Sequence, residues 1–245
     1  MKSTISLVVA IAISAIMYTP LVASASPVAL DRNTTFSGYA EDGSPGQFSA
    51  VSANWVIPKI TCSSGKVTYV SQWVGIQDSL TLVQDGVDYD CGGASSQPVY
   101  LAWYEIYGPN PNDPEIYAPA KDLIEAGDIM RASVTFISGK WEFRVENLSR
   151  HWQFFAAVSQ PTPPDTRSSA EFLVEGATPS YPGFVPLSRF RSTSFYDAHV
   201  TSHREPGPIS SFFPLAQCAG KKLLITPGAL KSAGTSFTDT MMAEN

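Results

Sequence analysis

The chain has 245 residues, of which 16 are Lys or Arg and 22 are Asp or Glu; 44% are apolar and 16% are charged. A charged fraction this far below the roughly 25% of an average globular domain excludes a disordered acidic tail and a coiled coil. The acidic balance includes no Lys/Arg run that could bind phosphate backbones, so we expect no nucleic-acid partner. Three cysteines are too few for a small disulfide-rich scaffold.

The start of the chain has the pattern of a secretory signal peptide. Lys2 precedes an apolar run from Ile5 to Met17, and small residues follow up to Ala25. The apolar run is shorter than the roughly 20 residues that span a bilayer. We therefore expect residues 1–25 to be removed and residues 26–245 to form a single domain, secreted to the extracellular space, free of the membrane and monomeric.

Six segments of the mature chain are rich in β-branched and aromatic residues and are predicted to be strands. In chain order they are Thr68–Ile76, Val99–Tyr107, Ile129–Ile137, Trp141–Asn147, Trp152–Val158 and Ala170–Glu175. Ser138-Gly139-Lys140 predicts a hairpin turn, and Ala118–Ala126 is predicted as a short helix. Many short strands without long helices between them predict an all-β fold, in which two antiparallel sheets pack together or close as a barrel.

Period-two alternation assigns the side chains of two of these strands to faces. In the second strand, Glu105 shares its face with two aromatic residues, Trp103 and Tyr107. In the sixth strand, the face away from the core carries Glu171, Leu173 and Glu175. We interpret that face as either a groove or a solvent-exposed surface.

Common catalytic motifs are missing from the sequence. It contains no Gly-x-Ser-x-Gly, no Asp-Thr-Gly or Asp-Ser-Gly, and no glycine loop for phosphate. Its three histidines lack metal-ligand spacing, so we predict neither a metal nor a cofactor. In a secreted chain we expect a disulfide between Cys62 and Cys91, worth roughly 3 kcal/mol, with Cys218 left unpaired.

Four segments, three of them within the predicted strands, carry a family resemblance. They are Trp73-Val74-Gly75-Ile76, Val83-Gln84-Asp85-Gly86-Val87-Asp88, Ala102-Trp103-Tyr104-Glu105-Ile106-Tyr107 and Ala170-Glu171-Phe172-Leu173-Val174-Glu175. Phe36-Ser37-Gly38-Tyr39 and Val145-Glu146-Asn147-Leu148 extend the likeness over about Asn33 to Ala198. Together, and in this order, they resemble the glutamic peptidases, the eqolisin family of secreted acid endopeptidases.

The resemblance implies a fold and a set of site residues. The fold is a sandwich of two strongly bent antiparallel sheets, similar to the concanavalin A-like lectins, with the active site on the concave face. The family's catalytic glutamine and glutamate match Gln84 and Glu175. The residues that the resemblance places around the substrate are Trp73, Asp88, Trp103, Glu105 and Tyr107. The chain departs from the family at Gln77, which is usually Asp, and at Phe36, which is usually Trp.

This pair is chemically suited to direct attack of water on a peptide bond. An ionised Glu175 can take a proton from the water and return it to the leaving nitrogen. The Gln84 amide offers an acceptor for the water and an N–H donor for the oxyanion. With an ordinary pKa of about 4.3, Glu175 would begin to ionise near pH 3 to 4, where we expect digestion of protein or peptide substrates.

Two other functions would use the same residues. A lectin-like module could present Trp103, Tyr107 and Glu105 to a sugar or a peptide. A glycosidase needs two carboxyl groups about 5 to 10 Å apart, which Glu105 and Glu175 could supply.

Overall fold

The computed structural model describes residues 30–92, 97–108, 114–160, 164–176 and 185–243, so the predicted signal segment lies outside the described residues. Regular structure in these ranges is almost entirely β-strand. The strands are β1 (Asp31–Asn33), β2 (Phe36–Asp42), β3 (Phe48–Val56), β4 (Val67–Thr68), β5 (Ser71–Gln77), β6 (Leu82–Gly92), β7 (Pro98–Tyr107), β8 (Ile116–Tyr117), β9 (Ile129–Ile137), β10 (Lys140–Asn147), β11 (Trp152–Ser159), β12 (Ser169–Glu175), β13 (Ser192–Ser202), β14 (Glu205–Pro208), β15 (Phe213–Ala219), β16 (Lys222–Pro227) and β17 (Phe237–Met241). A short 3-10 helix lies at Ser232–Gly234.

Hydrogen bonding arranges the strands in two halves that pack face to face. The half we call the cleft sheet has the order β8-β7-β6-β5-β12-β2-β15. The half we call the back sheet has the order β16-β17-β13-β3-β9-β10-β11, and β15 joins the two by pairing with β16. Across the interior, β5 and β6 contact β3, β9 and β10. The expected all-β, two-layer antiparallel sandwich is confirmed.

Strand β10 shows how the sequence produces this packing. Trp141, Phe143 and Val145 are buried between the sheets, whereas Glu142 and Arg144 between them are half-exposed. Alternate residues of a strand point to opposite faces, so one row of side chains enters the core and the other meets water. The same alternation in the cleft sheet is less regular, because its second face is also largely buried.

Local predictions are confirmed except in two places: the predicted strand Thr68–Ile76 is interrupted at Tyr69 and Val70, and one predicted helix is absent. The strand predictions fall on β4 and β5, β7, β9, β10, β11 and β12. The hairpin turn is confirmed, since Ser138 and Gly139 have φ of 51° and 76°, which suits a two-residue turn between β9 and β10. The helix predicted at Ala118–Ala126 is wrong. The Ala118 N–H donates to Ala102 of β7, so the segment starts in an extended conformation against that strand, and the Asp122 N–H then donates to Pro119, three residues back, as in a turn and not four residues back as in an α-helix.

The cysteine prediction is also confirmed. Cys62 and Cys91 form a disulfide with their Cα atoms 5.5 Å apart, and Cys218 is a buried free thiol. Because Cys91 lies in β6, the bond ties the loop before β4 to the strand that carries Gln84.

Candidate active site

Strand register brings the predicted catalytic pair onto one face of the cleft sheet. Gln84 of β6 lies opposite Gly75 of β5 and Glu105 of β7. Glu175 of β12 lies opposite Ser71 of β5. Alternation along β5 puts Ser71 and Gly75 on the same side, so Gln84, Glu105 and Glu175 all project from that side. We call it the cleft face.

Two indole rings share the cleft face because the strand between them has a glycine. Gly86 of β6 is directly opposite Trp73 on one side and Trp103 on the other. A Cβ atom on Gly86 would lie 2.6 Å from the Trp73 Cβ and 2.4 Å from a backbone oxygen. The glycine of the Gln-Asp-Gly motif therefore provides the space in which both indoles pack with Leu173 as a small apolar cluster, separate from the main core.

Glu175 is buried against this cluster. The Trp73 indole N–H donates a 2.9 Å hydrogen bond to Glu175 Oε2. Burial raises the pKa of Glu175 to about 8; the indole bond opposes that rise, while negative charge on Glu115, Glu105 and Glu171 adds to it. We expected an ionised Glu175 at acid pH; instead it is a neutral carboxylic acid there, and the bond to Oε2 leaves Oε1 to carry the proton.

Gln84 is held in place by a hydrogen bond to Glu105. Its Nε2 donates to Glu105 Oε2 at 2.7 Å, and its side chain is almost fully buried, at 6% exposure. Its Oε1 is buried and has no hydrogen-bond partner among the described residues. Because the Glu105 oxygen accepts this bond, the NH2 group of the amide is turned toward Glu105 and the amide oxygen is presented as an acceptor.

A cavity of about 370 Å³ opens over these groups. Its lining residues are Thr35, Phe36, Tyr69, Leu82, Gln84, Trp103, Glu105, Tyr107, Glu115 and Glu175. Five of the seven predicted site residues are thus in or against one cavity: Gln84, Trp103, Glu105, Tyr107 and Glu175. Among the residues that the structure describes, no Lys, Arg or His belongs to this lining, so the lining is acidic when its carboxyl groups are ionised.

The two other predicted residues, on the same face by register, are not part of the cavity lining. Trp73 is fully buried and reaches the site through its bond to Glu175. Asp88 is also buried and accepts hydrogen bonds from Tyr69 at 3.4 Å and Tyr117 at 3.2 Å. Burial, followed by charge on Glu115 and other carboxylates, raises the pKa of Asp88 well above its ordinary value. Asp88 therefore orders tyrosines at the edge of the site.

Sequence reasoning missed Tyr69 and Glu115 as cavity residues. Tyr69 falls in the break between β4 and β5, where a bridge to Leu187 and a backbone bond to Pro186 turn it toward the cavity. Glu115 directly precedes the two-residue strand β8. Tyr69 lay inside a predicted strand with no sign of the break, and Glu115 lay outside every predicted strand and motif, so the sequence marked neither as a site residue.

The described residues group no three His, Cys, Asp or Glu side chains as metal ligands. In the same ranges, no helix is long and apolar enough to cross a membrane.

The sequence model of the peptidase A4 family matches residues 34–222, which is most of the chain. The chain belongs to this family. The resemblance to the eqolisins is therefore confirmed, and the chain is a peptide-bond hydrolase. Protein or peptide substrates follow from family membership, which does not favour the lectin-like alternative. No curated protein sequence matches the chain.

Solved structures of related peptidases have the same fold. Scytalidoglutamic peptidase, crystallised with a transition-state analogue inhibitor, is 25% identical with a TM-score of 0.69, covering 85% of this chain and 98% of that one. Aspergilloglutamic peptidase from Aspergillus niger is 26% identical with a TM-score of 0.60, covering 71% and 99% respectively. SCP-B, an eqolisin solved with a tripeptide, is 22% identical with a TM-score of 0.66, covering 85% and 98%.

Proposed function

We propose that this A4 peptidase is an acid endopeptidase that hydrolyses peptide bonds by direct attack of water, with Glu175 as general acid/base and Gln84 as the residue that holds the water and stabilises the oxyanion. The observation that carries the proposal is the cavity shared by a buried amide oxygen without a partner and a buried carboxyl group held by one indole N–H. Such a pair offers an acceptor and a proton donor to the same small volume.

The protonation of Glu175 sets the order of events. At acid pH the carboxyl group begins as a neutral acid, because its pKa is raised to about 8. It donates its proton to the scissile carbonyl oxygen while water bonds to the carbonyl carbon and gives a proton to the Glu175 carboxylate. The neutral diol then collapses: Glu175 protonates the amide nitrogen, the C–N bond breaks, and a diol hydroxyl returns a proton to Glu175. Every proton that leaves Glu175 is thus replaced.

Gln84 acts without changing its charge. Its Oε1 accepts a hydrogen bond from the attacking water, which satisfies the buried acceptor. One hydrogen of Nε2 is used by Glu105, and the second is available to the carbonyl oxygen while negative charge builds up on it, before the proton transfer from Glu175 is complete. Glu105 therefore acts through Gln84, by keeping the amide from rotating.

The proposal also covers how substrate is bound and where the protein acts. The exposed ring of Tyr107 and the buried Trp103 form an apolar wall on which a substrate side chain would pack. An oxidising, extracellular location is supported by the Cys62 to Cys91 disulfide, because such bonds persist outside the cytosol.

A matched pair of variants tests the site assignment. Glu175→Gln keeps the shape and the bond from Trp73 but removes the transferable proton, so kcat on an unfolded protein at pH 3 to 4 should fall by about a hundred- to ten-thousandfold. Glu171→Gln, on the same strand and face, should stay within a few-fold of the wild type. Full activity in a correctly folded Glu175→Gln protein would overturn the assignment.

A further inference from the structure

The side chain of Asn33 makes four hydrogen bonds at the turn between β1 and β2. Its Oδ1 accepts from the N–H groups of Thr35 at 2.8 Å and Phe36 at 2.5 Å. Its Nδ2 donates to the carbonyl of Phe36 at 2.9 Å and to that of Ala216 at 3.5 Å. Both backbone groups of Phe36 are therefore held by one amide side chain.

This contact replaces a missing strand. The pairing of β15 with β2 reaches only as far as Leu215 opposite Gly38, two residues short of Phe36. On its other side Phe36 pairs with Glu175. Asn33 supplies the partners that a neighbouring strand would otherwise provide, so Phe36 is extended and fixed beside Glu175 without belonging to a complete ladder.

Phe36 transmits this constraint to the proposed catalytic carboxyl group. Its ring meets the Trp73 indole edge to face, with the ring centroids 5.9 Å apart. The same indole donates the 2.9 Å bond to Glu175. Next along the chain, the Gly176 N–H donates to the Thr35 carbonyl at 3.0 Å, so the Asn33 turn also holds the end of β12.

We propose that Asn33 is a positioning residue of the active site, which sets Phe36 against Trp73 and thereby holds Glu175 in its working orientation. The proposal rests on the proposed function of Glu175. It assigns a role to a residue outside the four family motifs, one that reaches the cleft only through the turn it forms. Since Phe36 itself lines the cavity, the same turn shapes one wall of the substrate site.

Two variants of Asn33 separate positioning from general stability. Asn33→Ala removes all four bonds, and we expect kcat/KM to fall by up to about a hundredfold, because small displacements of reacting groups cost that much. Asn33→Asp keeps the acceptor oxygen. Below about pH 4 the introduced carboxyl group is protonated and can also donate to the Phe36 carbonyl, whereas above that pH it cannot. Its activity relative to the wild type should therefore approach one at pH 3 and decline as the pH rises.

Asn147 provides the matched control. Its Oδ1 accepts from the N–H groups two and three residues ahead, Ser149 and Arg150, in the same pattern as Asn33, but it lies on the back sheet. Asn147→Ala, or Asn147→Ser if the alanine variant does not fold, should lower the melting temperature without changing the pH profile of the folded enzyme. Equal pH profiles for the Asn33 and Asn147 variants would overturn the proposal.

A double-mutant cycle identifies the path. If Asn33 acts through Phe36, Asn33→Ala should add little to the loss already caused by Phe36→Ala, whereas additive losses would show that the path is wrong. The Trp73 indole N–H resonance should titrate with Glu175, and its midpoint should move in Asn33→Ala but not in the Asn147 control. The titration of this resonance does not require catalytic activity. If the wild-type protein cleaved no substrate, the proposed function would be wrong, but the titration would still show whether Asn33 positions Glu175.

Discussion

Each face of the cleft sheet carries a buried glutamine with a buried carboxylic acid nearby, but only one of the two pairs lies beside a cavity. On the cleft face, Gln84 has an unpartnered oxygen and Glu175 lies beside a cavity. On the core face, the oxygen of Gln72 accepts from Tyr89 and Thr193, while its Nε2 has no partner among the described residues. In the strand ladder Thr193 lies opposite Asp239, whose pKa is raised to about 7, mainly by burial.

The difference between the two regions is access to water and substrate. Burial acts on both acids in the same direction, because it disfavours the charged form. Beside a cavity the result is a proton donor that can exchange with a reactant. Between two sheets the result is an acid whose ionisation destabilises the fold. One physical effect therefore supports activity at low pH and limits stability at higher pH.

Within this comparison of the two faces, the largest effect should come from replacing each of the two glutamines with leucine. Gln84→Leu removes the oxyanion donor and the water acceptor, so we expect kcat to fall by about a hundred- to a thousandfold with little change in melting temperature. Gln72→Leu should do the reverse: it leaves two hydroxyl groups unpartnered, which costs about 1 to 3 kcal/mol each, and the folded protein should keep its kcat. Peptide cleavage assays beside thermal unfolding measure both, and loss of kcat in the core variant would break the comparison.

Asp239 should make the protein less stable as the pH rises. The native state binds a proton that the unfolded state has already lost between about pH 4 and 7, so the unfolding free energy falls in that window, by about 3 kcal/mol. Asp239→Asn keeps an acceptor for the Ser37 hydroxyl, which donates at 2.5 Å, and should remove this dependence. Denaturant unfolding at pH 4, 5.5 and 7 measures it.

Asp128 supplies the control of opposite sign. Burial acts to raise its pKa, but hydrogen bonds from Asn147, the Glu125 N–H and Arg150 outweigh burial and lower it. Its contribution to stability is present above the unfolded pKa and lost as the pH falls, so Asp128→Asn should destabilise the protein mainly at neutral pH. Parallel pH slopes for the Asp239 and Asp128 variants would contradict the assignment of Asp239.

The smallest effect concerns the indole that holds Glu175. Trp73→Phe removes a bond that lowers the pKa of Glu175, so the alkaline limb of the pH profile should move upward, with a loss of about tenfold or less in kcat. The Asp239→Asn background keeps the protein folded while this limb is measured. Trp103→Phe is the matched control, because the Trp103 indole nitrogen has no partner among the described residues. A shift of equal size in both variants would show that packing, not the hydrogen bond, sets the pKa.

Much of the fold and the face of the site could be predicted from the sequence. Period-two alternation put Trp103, Glu105 and Tyr107 on one side of β7, and register confirms that they face the cleft. Strands such as β9 were found because their apolar rows are regular. The helix prediction for Ala118–Ala126 was wrong because helix propensity does not report a backbone hydrogen bond to a strand distant in sequence, such as the one from Ala118 to Ala102.

What the sequence could not provide were properties that arise only from burial. The pKa of Glu175 depends on how completely Trp73 and its neighbours exclude water, and no local pattern reports that. Nothing in the sequence indicated a structural role for Asn33, because that role arises where the pairing of β15 with β2 stops two residues short of Phe36. Tyr69 was missed because the sequence predicted one continuous strand, Thr68–Ile76, whereas in the structure Tyr69 lies in the break between β4 and β5.

The engaged amides of Asn33 and Asn147 also bear on how the protein is produced. Each begins an Asn-x-Thr or Asn-x-Ser tripeptide, the acceptor sequence of oligosaccharyltransferase. In the folded protein, however, the Asn33 Nδ2 already donates to the Phe36 carbonyl, and the Asn147 Nδ2 donates to the Asp128 carboxyl group in the protein interior. A sugar chain could be added at either position only while the polypeptide is still emerging, and it would then compete with closure of the turn. Protein produced in a host that performs N-glycosylation should therefore be a mixture of glycosylated and unglycosylated molecules, whereas protein from a host without oligosaccharyltransferase should be homogeneous.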